Sequence, residues 1–596
     1  MHGLEAKRMS SLRLLLCFLL KQSIGLVCIA QQHPLLAVSS PFDWSTIQPL
    51  NTLVWQECYP NSQSQRNKSG NKRQVLCARL RLPLDYHNSS NPAHVILPIL
   101  NIAPIDQSET ISTRKFIVIS PGGAGNSRIQ TLLAILSTNL LDTIDVEGKY
   151  NFITFDQRGF GYAEPTAKCF GSVFNGLQWA ERMKDLGKTF SSTMSDGNFG
   201  FHVDGASVLG TLCARADYDT DIRRHMTTAY AARDMLEILN KLHTSSDSGI
   251  PHPKLDFIGF SYGTMLGLTF ASLYPDRVAR MVLDGVVDSD DWVGKWQVQH
   301  VQDSDEIWKS FFSDCFISQE ACPFWRPSDT SPADQEKRFA SVLERLSERP
   351  AYLTQNEKIR VVTRKDVEYA IVQALLAPFY SFTALAEYID SLLQGISNIT
   401  LGFPFDPDLG SLSRAIAEDV DYLASSNLDA GTSLNCGDAA SLANSTVKEF
   451  KRYLSVLEKL SNISASWQGE RKARCLGWPA TLTPKWRFTG PFASNMTPPL
   501  MFLSNTLDPM TPLHNAKKMS SLYQGSIMIE QKARGHCSLL NTIPSKCILD
   551  HLSRYLLDGL LPVDGNVCDA ECNVFDGSCI GNMQKNGTRH ISHNLI

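Results

Sequence analysis

The chain has 596 residues, of which 43% are hydrophobic and 19% charged, and its formal net charge is −4. This is ample apolar material for a large core, and the composition excludes a disordered or fibrous protein. The near balance of charge gives no reason to expect nucleic acid or an anionic membrane as partner, and leaves a peptide or small-molecule substrate.

The first thirty residues read as a targeting segment. Lys7, Arg8 and Arg13 precede LLLCFLL, and a second apolar run, SIGLVCIA, ends at Ala30 before Gln31 and Gln32. The pattern predicts a signal peptide over residues 1–30, cleaved near Ala30. Its rival is an uncleaved anchor, which Lys21 makes costly by standing midway in the apolar stretch. N-x-S/T acceptors at Asn67, Asn88, Asn398, Asn444, Asn462, Asn495 and Asn586 agree with a secreted glycoprotein that has no membrane contact after cleavage. Of the 15 cysteines, Cys17 and Cys28 lie in the signal. Among the rest, Cys58/Cys77, Cys315/Cys322, Cys537/Cys547 and Cys568/Cys572/Cys579 are close enough in sequence to be disulfide candidates. Their odd number leaves one thiol over. There is no H-E-x-x-H and no paired C-x-x-C, so no metal or other cofactor is expected.

Residues 79–103 hold two β-rich runs around an Asn/Ser/Pro turn, a hairpin entering a sheet. From KFIVIS (115–120) onward, short apolar strands alternate with helical segments: YNFITF (150–155), TTAYAARDMLEILNKL (227–242), LDFIGF (255–260) and RMVLDGVV (280–287). Such alternation predicts an α/β fold with a mostly parallel central sheet. Between 290 and 490 helical patterns dominate, including one long stretch over 364–397, before PLMFLS (499–504) and SIMIE (526–530) resume the strands. The expected organisation is a core over 41–289 and 491–560, a large mainly helical cap over 290–490 inserted between the sixth and seventh strands, and a Cys-containing tail over 561–596. A monomer is expected.

GFSYG (259–263) is a G-x-S-x-G pattern, which chance can nearly supply in a chain of this length. Its context adds weight, because an apolar strand precedes Ser261 and Gly263 and Gly267 follow it, as a strand–elbow–helix turn requires. A serine hydroxyl needs a base and a carboxylate to become a nucleophile, and its oxyanion needs two backbone N–H donors. Tyr262 supplies one donor from the elbow, and the loop PGGAGNS after KFIVIS supplies the other from Gly122 or Gly123. That loop has the glycines of a phosphate loop without its lysine. Asp508 in FLSNTLDPMTP and His536 in EQKARGHCS follow late strands in the order acid, then base. Asp284, at the end of another strand, is an alternate acid, and Asp156 and Arg158 in FDQRGFG brace the site.

These segments resemble secreted tripeptidyl-aminopeptidase-like serine hydrolases, relatives of the proline iminopeptidases within the α/β-hydrolase fold. The resemblance runs through LPLDY, PGGAG, DQRGFG, TTAYAARDMLEIL, GFSYGTMLG and YPDRVARMVLDGVVD, then NCGDAA, CLGWP, LDPMTPLHNAKKM and GHCS. It implies Ser261 as nucleophile, His536 as general base, Asp508 as acid, and an acyl-enzyme formed on a peptide whose free amino terminus is held by acidic groups near the cap. The alternative is an esterase, lactonase or amide hydrolase acting on a small metabolite. Pro121 stands where relatives open the glycine loop with histidine, and Ala124 where they have proline, which points to a different acyl pocket. Asp303, Asp305 and Glu306 are candidates for the amine-binding carboxylates; the other reading is a solvated acidic helix start.

Overall fold

In KFIVIS and LDFIGF, alternate side chains go to opposite faces of one sheet. Ile117, Ile119, Ile258 and Phe260 enter one apolar layer, and Val118 and Phe257 enter the other. Both layers are closed to water, which is why these strands are apolar along their length. The computed structural model describes residues 42–60, 73–105, 115–136, 140–145, 148–184, 190–217, 219–244, 252–355, 358–394, 421–495, 498–570 and 572–575. The expected signal segment lies outside them, as do Asn67, Asn398 and Asn586.

The first seven strands are β1 (Gln56–Glu57), β2 (Arg73–Pro83), β3 (His94–Pro104), β4 (Lys115–Ser120), β5 (Tyr150–Phe155), β6 (Leu255–Phe260) and β7 (Val278–Asp284). A separate hairpin, β8 (Ala351–Gln355) with β9 (Lys358–Val362), precedes β10 (Met501–Leu507), β11 (Ile527–Arg534) and β12 (Asn566–Asp569). Ten of these strands form one sheet in the order β1-β2-β3-β5-β4-β6-β7-β10-β11-β12. The pairings β1/β2, β2/β3 and β3/β5 are antiparallel; all others in that sheet are parallel. The expected hairpin is the β2/β3 pair, in register from Arg73 with Pro104 to Pro83 with His94. The chain leaves β4 for β5 on one side and returns through β6 on the other. That switch opens a crevice beyond the carboxyl ends of β4 and β6, where open α/β sheets bind ligands.

Between β7 and β10, around the β8/β9 hairpin, lie the helices Ser304–Ser318, Pro332–Glu348, Arg364–Leu376, Pro378–Gln394, Asp421–Asp438, Val447–Leu460 and Ala465–Ala473. The stretch expected as one long helical pattern is two helices, broken at Ala377-Pro378 because proline disfavours the helical conformation in its predecessor. The motifs NCGDAA and CLGWP, far apart in sequence, are joined by the Cys436–Cys475 disulfide. The tail is more than a tether: Asn566–Asp569 pairs with β11 as an edge strand.

The disulfides Cys58–Cys77 and Cys315–Cys322 form as spacing predicts, and Cys169–Cys213 forms across 44 residues. The expected Cys537/Cys547 pair does not form. Cys547, on the helix Lys546–Asp558, bonds Cys568 of β12, while Cys537 is free and buried, the one such thiol among the described residues. Its Sγ is 3.6 Å from the Asp284 carbonyl oxygen, which also accepts the Ser261 N–H. Among the described residues, no helix is long and apolar enough to cross a membrane.

Candidate active site

Ser261 directly follows β6 and stands at the N-cap of the helix Tyr262–Leu273 with φ 52° and ψ −123°, a strained conformation for a residue with a side chain. The turn is built by absence of side chains. A Cβ at Gly259 would lie 2.6 Å from the Gly263 carbonyl oxygen, and one at Gly263 only 2.4 Å from the Ser120 carbonyl oxygen. The Ser261 N–H donates to the Asp284 carbonyl oxygen at 3.0 Å, and its own carbonyl accepts from the Thr264 N–H at 2.8 Å. In this way β6, β7 and the new helix together hold the serine at the crevice.

The glycine loop after β4 lies against this elbow. A Cβ at Gly122 (φ +94°) would be 2.7 Å from the Phe260 carbonyl oxygen and 3.0 Å from the Ser261 Cβ, so only glycine lets this backbone reach the serine. Gly123 closes the turn, its carbonyl accepting from the Asn126 N–H at 3.1 Å. Buried Asp156 anchors the segment beyond that turn: it accepts from the Ser127 hydroxyl at 2.9 Å, the Tyr162 N–H at 2.9 Å and the Ile129 N–H at 3.2 Å. Arg158 is further away and bidentate to Asp234, at 2.8 and 2.6 Å, between the rings of Tyr86 and Tyr230. Both residues brace.

Asp508 and His536 come together from the ends of β10 and β11. His536 Nδ1 is 2.9 Å from Asp508 Oδ1 and 3.1 Å from Oδ2. The carboxylate also accepts from the N–H groups of Met510 (2.9 Å), Thr511 (2.8 Å) and Cys537 (3.0 Å) and from the Thr511 hydroxyl (2.8 Å). Burial raises the Asp508 pKa, but the His536 charge and these donors outweigh it and hold the group below its ordinary value. Burial lowers the His536 pKa, and the charge and hydrogen bond of Asp508 reverse that to a net rise. The His536 N–H donates to the Leu376 carbonyl at 2.8 Å, which fastens the histidine loop to a helix of the inserted region.

Asp284 is not the histidine's partner. Its carboxylate accepts from the Ser538 N–H (2.7 Å), the Ser538 hydroxyl (2.9 Å) and the Leu539 N–H (2.9 Å), and burial pushes its pKa up to about 6. It clamps the turn after His536 while its carbonyl receives Ser261, so one residue ties the serine loop to the histidine loop.

The three acidic candidates for amine binding are otherwise engaged or distant in kind. Asp303 Oδ2 accepts from the Asp508 N–H at 3.0 Å, and burial raises its pKa to about 6. Asp305 accepts from the Ser461 hydroxyl and the N–H groups of Asn462 and Ile463, and Glu306 is exposed beside Lys309. Sequence reasoning missed three groups here. Thr511 lies three residues past Asp508 in the same loop. Asp438 in NCGDAA is buried and accepts from the Thr228 N–H (2.9 Å) and Trp292 Nε1 (3.0 Å), and the Thr228 hydroxyl meets the Tyr262 hydroxyl at 2.8 Å. Buried Arg128 donates from Nε to the Ser120 hydroxyl at 3.0 Å, with its guanidinium near the Phe160 and Tyr262 rings. Asp438 and Thr511 lay within motifs already quoted, NCGDAA and LDPMTPLHNAKKM, and Arg128 in none.

Residues 115–325 match the family model described as alpha/beta hydrolase fold, and residues 461–568 match the one described as TAP-like protein. The serine protease Hip1 of Mycobacterium tuberculosis (strain ATCC 25618 / H37Rv) is 22% identical over 521 residues, covering 87% of this chain and 91% of that protein. The tripeptidyl aminopeptidase of Streptomyces coelicolor is 23% identical over 498 residues, covering 81% of each. Carboxylesterase B of Mycobacterium tuberculosis (strain CDC 1551 / Oshkosh) is 23% identical over 499 residues, covering 82% of this chain and 85% of that protein.

Proposed function

Taking the chain as the TAP-like α/β hydrolase to which these matches point, we propose that it is a secreted serine exopeptidase releasing short peptides or amino acids from free peptide amino termini. One observation carries the catalytic part: the His536–Asp508 pair, brought together from the ends of β11 and β10 and tied to the strained Ser261 elbow through Asp284 at the end of β7, the strand between β6 and β10. Ser261 attacks the scissile carbonyl while His536 takes its proton. Asp508 holds the imidazole with its other nitrogen free and stabilises the imidazolium. The developing oxyanion is met by N–H groups of Tyr262 and of the loop at Gly122 or Gly123. His536 returns the proton to the leaving amine, and water then enters by the same base to release the acyl-enzyme.

The peptide preference draws on the two peptidase relatives, over more than four-fifths of this chain. The carboxylesterase relative, of comparable extent, favours a second reading on small esters. Five disulfides with both cysteines among the described residues, and exposed acceptor asparagines Asn88, Asn444, Asn462 and Asn495, support passage through an oxidising, glycosylating compartment.

The test compares the protein and its Ser261→Ala variant on an unblocked peptide anilide, the same peptide with its amino terminus blocked, and a simple acyl ester. The exopeptidase reading expects the unblocked anilide to turn over far faster than the blocked one, with both lost in the variant. Hydrolysis of the ester alone supports the second reading and ends the first.

A further inference from the structure

Within the inserted region, the helix Asp421–Asp438 meets the surroundings of Ser261 at two places. At Gly431 a Cβ would lie 2.6 Å from the Ala124 carbonyl oxygen and 3.6 Å from the Gly125 Cα, so the helix backbone rests directly on the glycine loop. At Asp438, where the helix ends, the carboxylate accepts from the Thr228 N–H at 2.9 Å, the Thr228 hydroxyl at 2.5 Å and Trp292 Nε1 at 3.0 Å. A step from 431 to 438 is two turns, about 10 Å along a helix, and returns to within about 20° of the same face. Gly431 and Asp438 therefore face the same way, and Leu434 between them enters the apolar layer that holds Tyr262.

In the proposed mechanism one oxyanion donor is on the glycine loop and the other is the Tyr262 N–H, so this one helix bears on both. The Thr228 hydroxyl has a single proton, which it gives to Asp438, and its oxygen accepts from the Tyr262 hydroxyl at 2.8 Å. Trp292, held by the same carboxylate, sets its ring 5.3 Å from the Tyr262 ring, and the Arg128 guanidinium stands 5.5 Å from that ring. Tyr262, Thr228 and Asp438 are all buried. A serine with φ 52° keeps that conformation only while its neighbours hold it. Relaxing ψ at Ser261 would turn the Tyr262 N–H, and a Tyr262 side chain tied at its hydroxyl and packed at its ring opposes that turn.

We propose that the helix Asp421–Asp438 positions both walls of the oxyanion hole: Gly431 seats the glycine loop, and Asp438 is a positioning residue that acts through Thr228 and Trp292 on Tyr262. Asp438 touches no reacting atom. Its contribution is to the geometry in which the oxygen of the tetrahedral intermediate is met. The acyl-transfer step then depends on the inserted region whichever substrate, peptide or ester, is bound. This rests on the hydrolase reading of Ser261.

The test is steady-state kinetics on whichever of the unblocked peptide anilide and the acyl ester the wild-type protein turns over, together with inhibition by the aldehyde of the same acyl group. Ser261 Oγ adds to the aldehyde carbon, its proton passes to His536, and the carbonyl oxygen becomes an oxyanion in the hole, so aldehyde affinity reads the hole itself. Asp438→Asn is expected to lower kcat roughly 10- to 100-fold with KM within about 2-fold, and to weaken aldehyde inhibition by a similar factor. Tyr262→Phe, which keeps the N–H and loses the hydroxyl, is expected to cost about 5-fold in kcat, the worth of one hydrogen bond. The two together are expected to cost little more than Asp438→Asn alone, because they break one chain. Gly431→Ala is expected to lower kcat and aldehyde affinity together by roughly 10-fold, as its methyl pushes on the Ala124 carbonyl. Folded Asp438→Asn, Tyr262→Phe or Gly431→Ala protein with kcat within about 2-fold of wild type overturns the proposal, as does a loss carried by KM with aldehyde affinity unchanged. Tyr262→Phe and Gly431→Ala decide it if Asp438→Asn does not fold. Failure of the hydrolase reading shows separately, as wild-type protein that a fluorophosphonate does not label at Ser261.

Discussion

The strand-end loops and the inserted helical region do not hold all their buried charge in the same way. At the strand ends each buried carboxylate has its donors in place: Asp508 with His536 and the Met510–Thr511 turn, Asp284 with Ser538 and Leu539, Asp156 with Ser127, Ile129 and Tyr162. In the cap, Lys472 is buried with no hydrogen-bond partner for its Nζ among the described residues, and the charge of Asp291 acts on it without a direct bond. The first arrangement fixes geometry before substrate arrives.

The largest expected effect that tests this contrast is at Asp508. Asp508→Asn is expected to lower kcat about 10⁴-fold on every substrate, because the amide no longer holds the histidine tautomer or its charge. A loss under 10-fold, measured by steady-state kinetics, breaks the account of the strand-end loops. The pH profile has a definite sign. His536 must be neutral to accept the serine proton, and Asp508 raises its pKa above the ordinary 6.5, so kcat/KM falls as pH drops through a midpoint above 6.5. A midpoint below 6.5 in the intact protein contradicts the pairing.

Smaller for catalysis, Asp284→Asn is expected to reduce kcat less than 10-fold while lowering stability by about 1–3 kcal/mol, since it weakens a buried acceptor of three hydrogen bonds. Thermal melts and kinetics together decide this. A loss matching that of Asp508→Asn would exchange the two acids.

The strand-end half was legible in the sequence because its signals are short-range. The run FIGFSYG carries strand, turn and helix start within seven residues, and the glycines that let Phe260, Ser261 and the β4 loop approach are visible as letters. Asp508 and His536 were findable because each follows a strand directly. The cap was legible as a helical composition and little more, because its arrangement depends on long-range closures such as Cys436–Cys475 and the packing of Gly431 on Ala124. Cysteine spacing succeeded at Cys315 and Cys322, seven residues apart, and failed at Cys537. There the chain turns with φ 66° directly after the histidine and carries the thiol to the Asp284 carbonyl oxygen, whatever its distance in sequence from Cys547. The candidate amine-binding acids could not be sorted from sequence for a related reason: an acidic run at a helix start serves equally to hold neighbouring loops, as Asp303 and Asp305 do.

The central claim is that Ser261 is the activated nucleophile of this site. Mass-spectrometric mapping of the protein after reaction with a fluorophosphonate tests it most directly. The account predicts a single adduct on Ser261, formed slowly or not at all in Asp508→Asn; an adduct on another residue, or an unmodified Ser261 in folded wild-type protein, would contradict it.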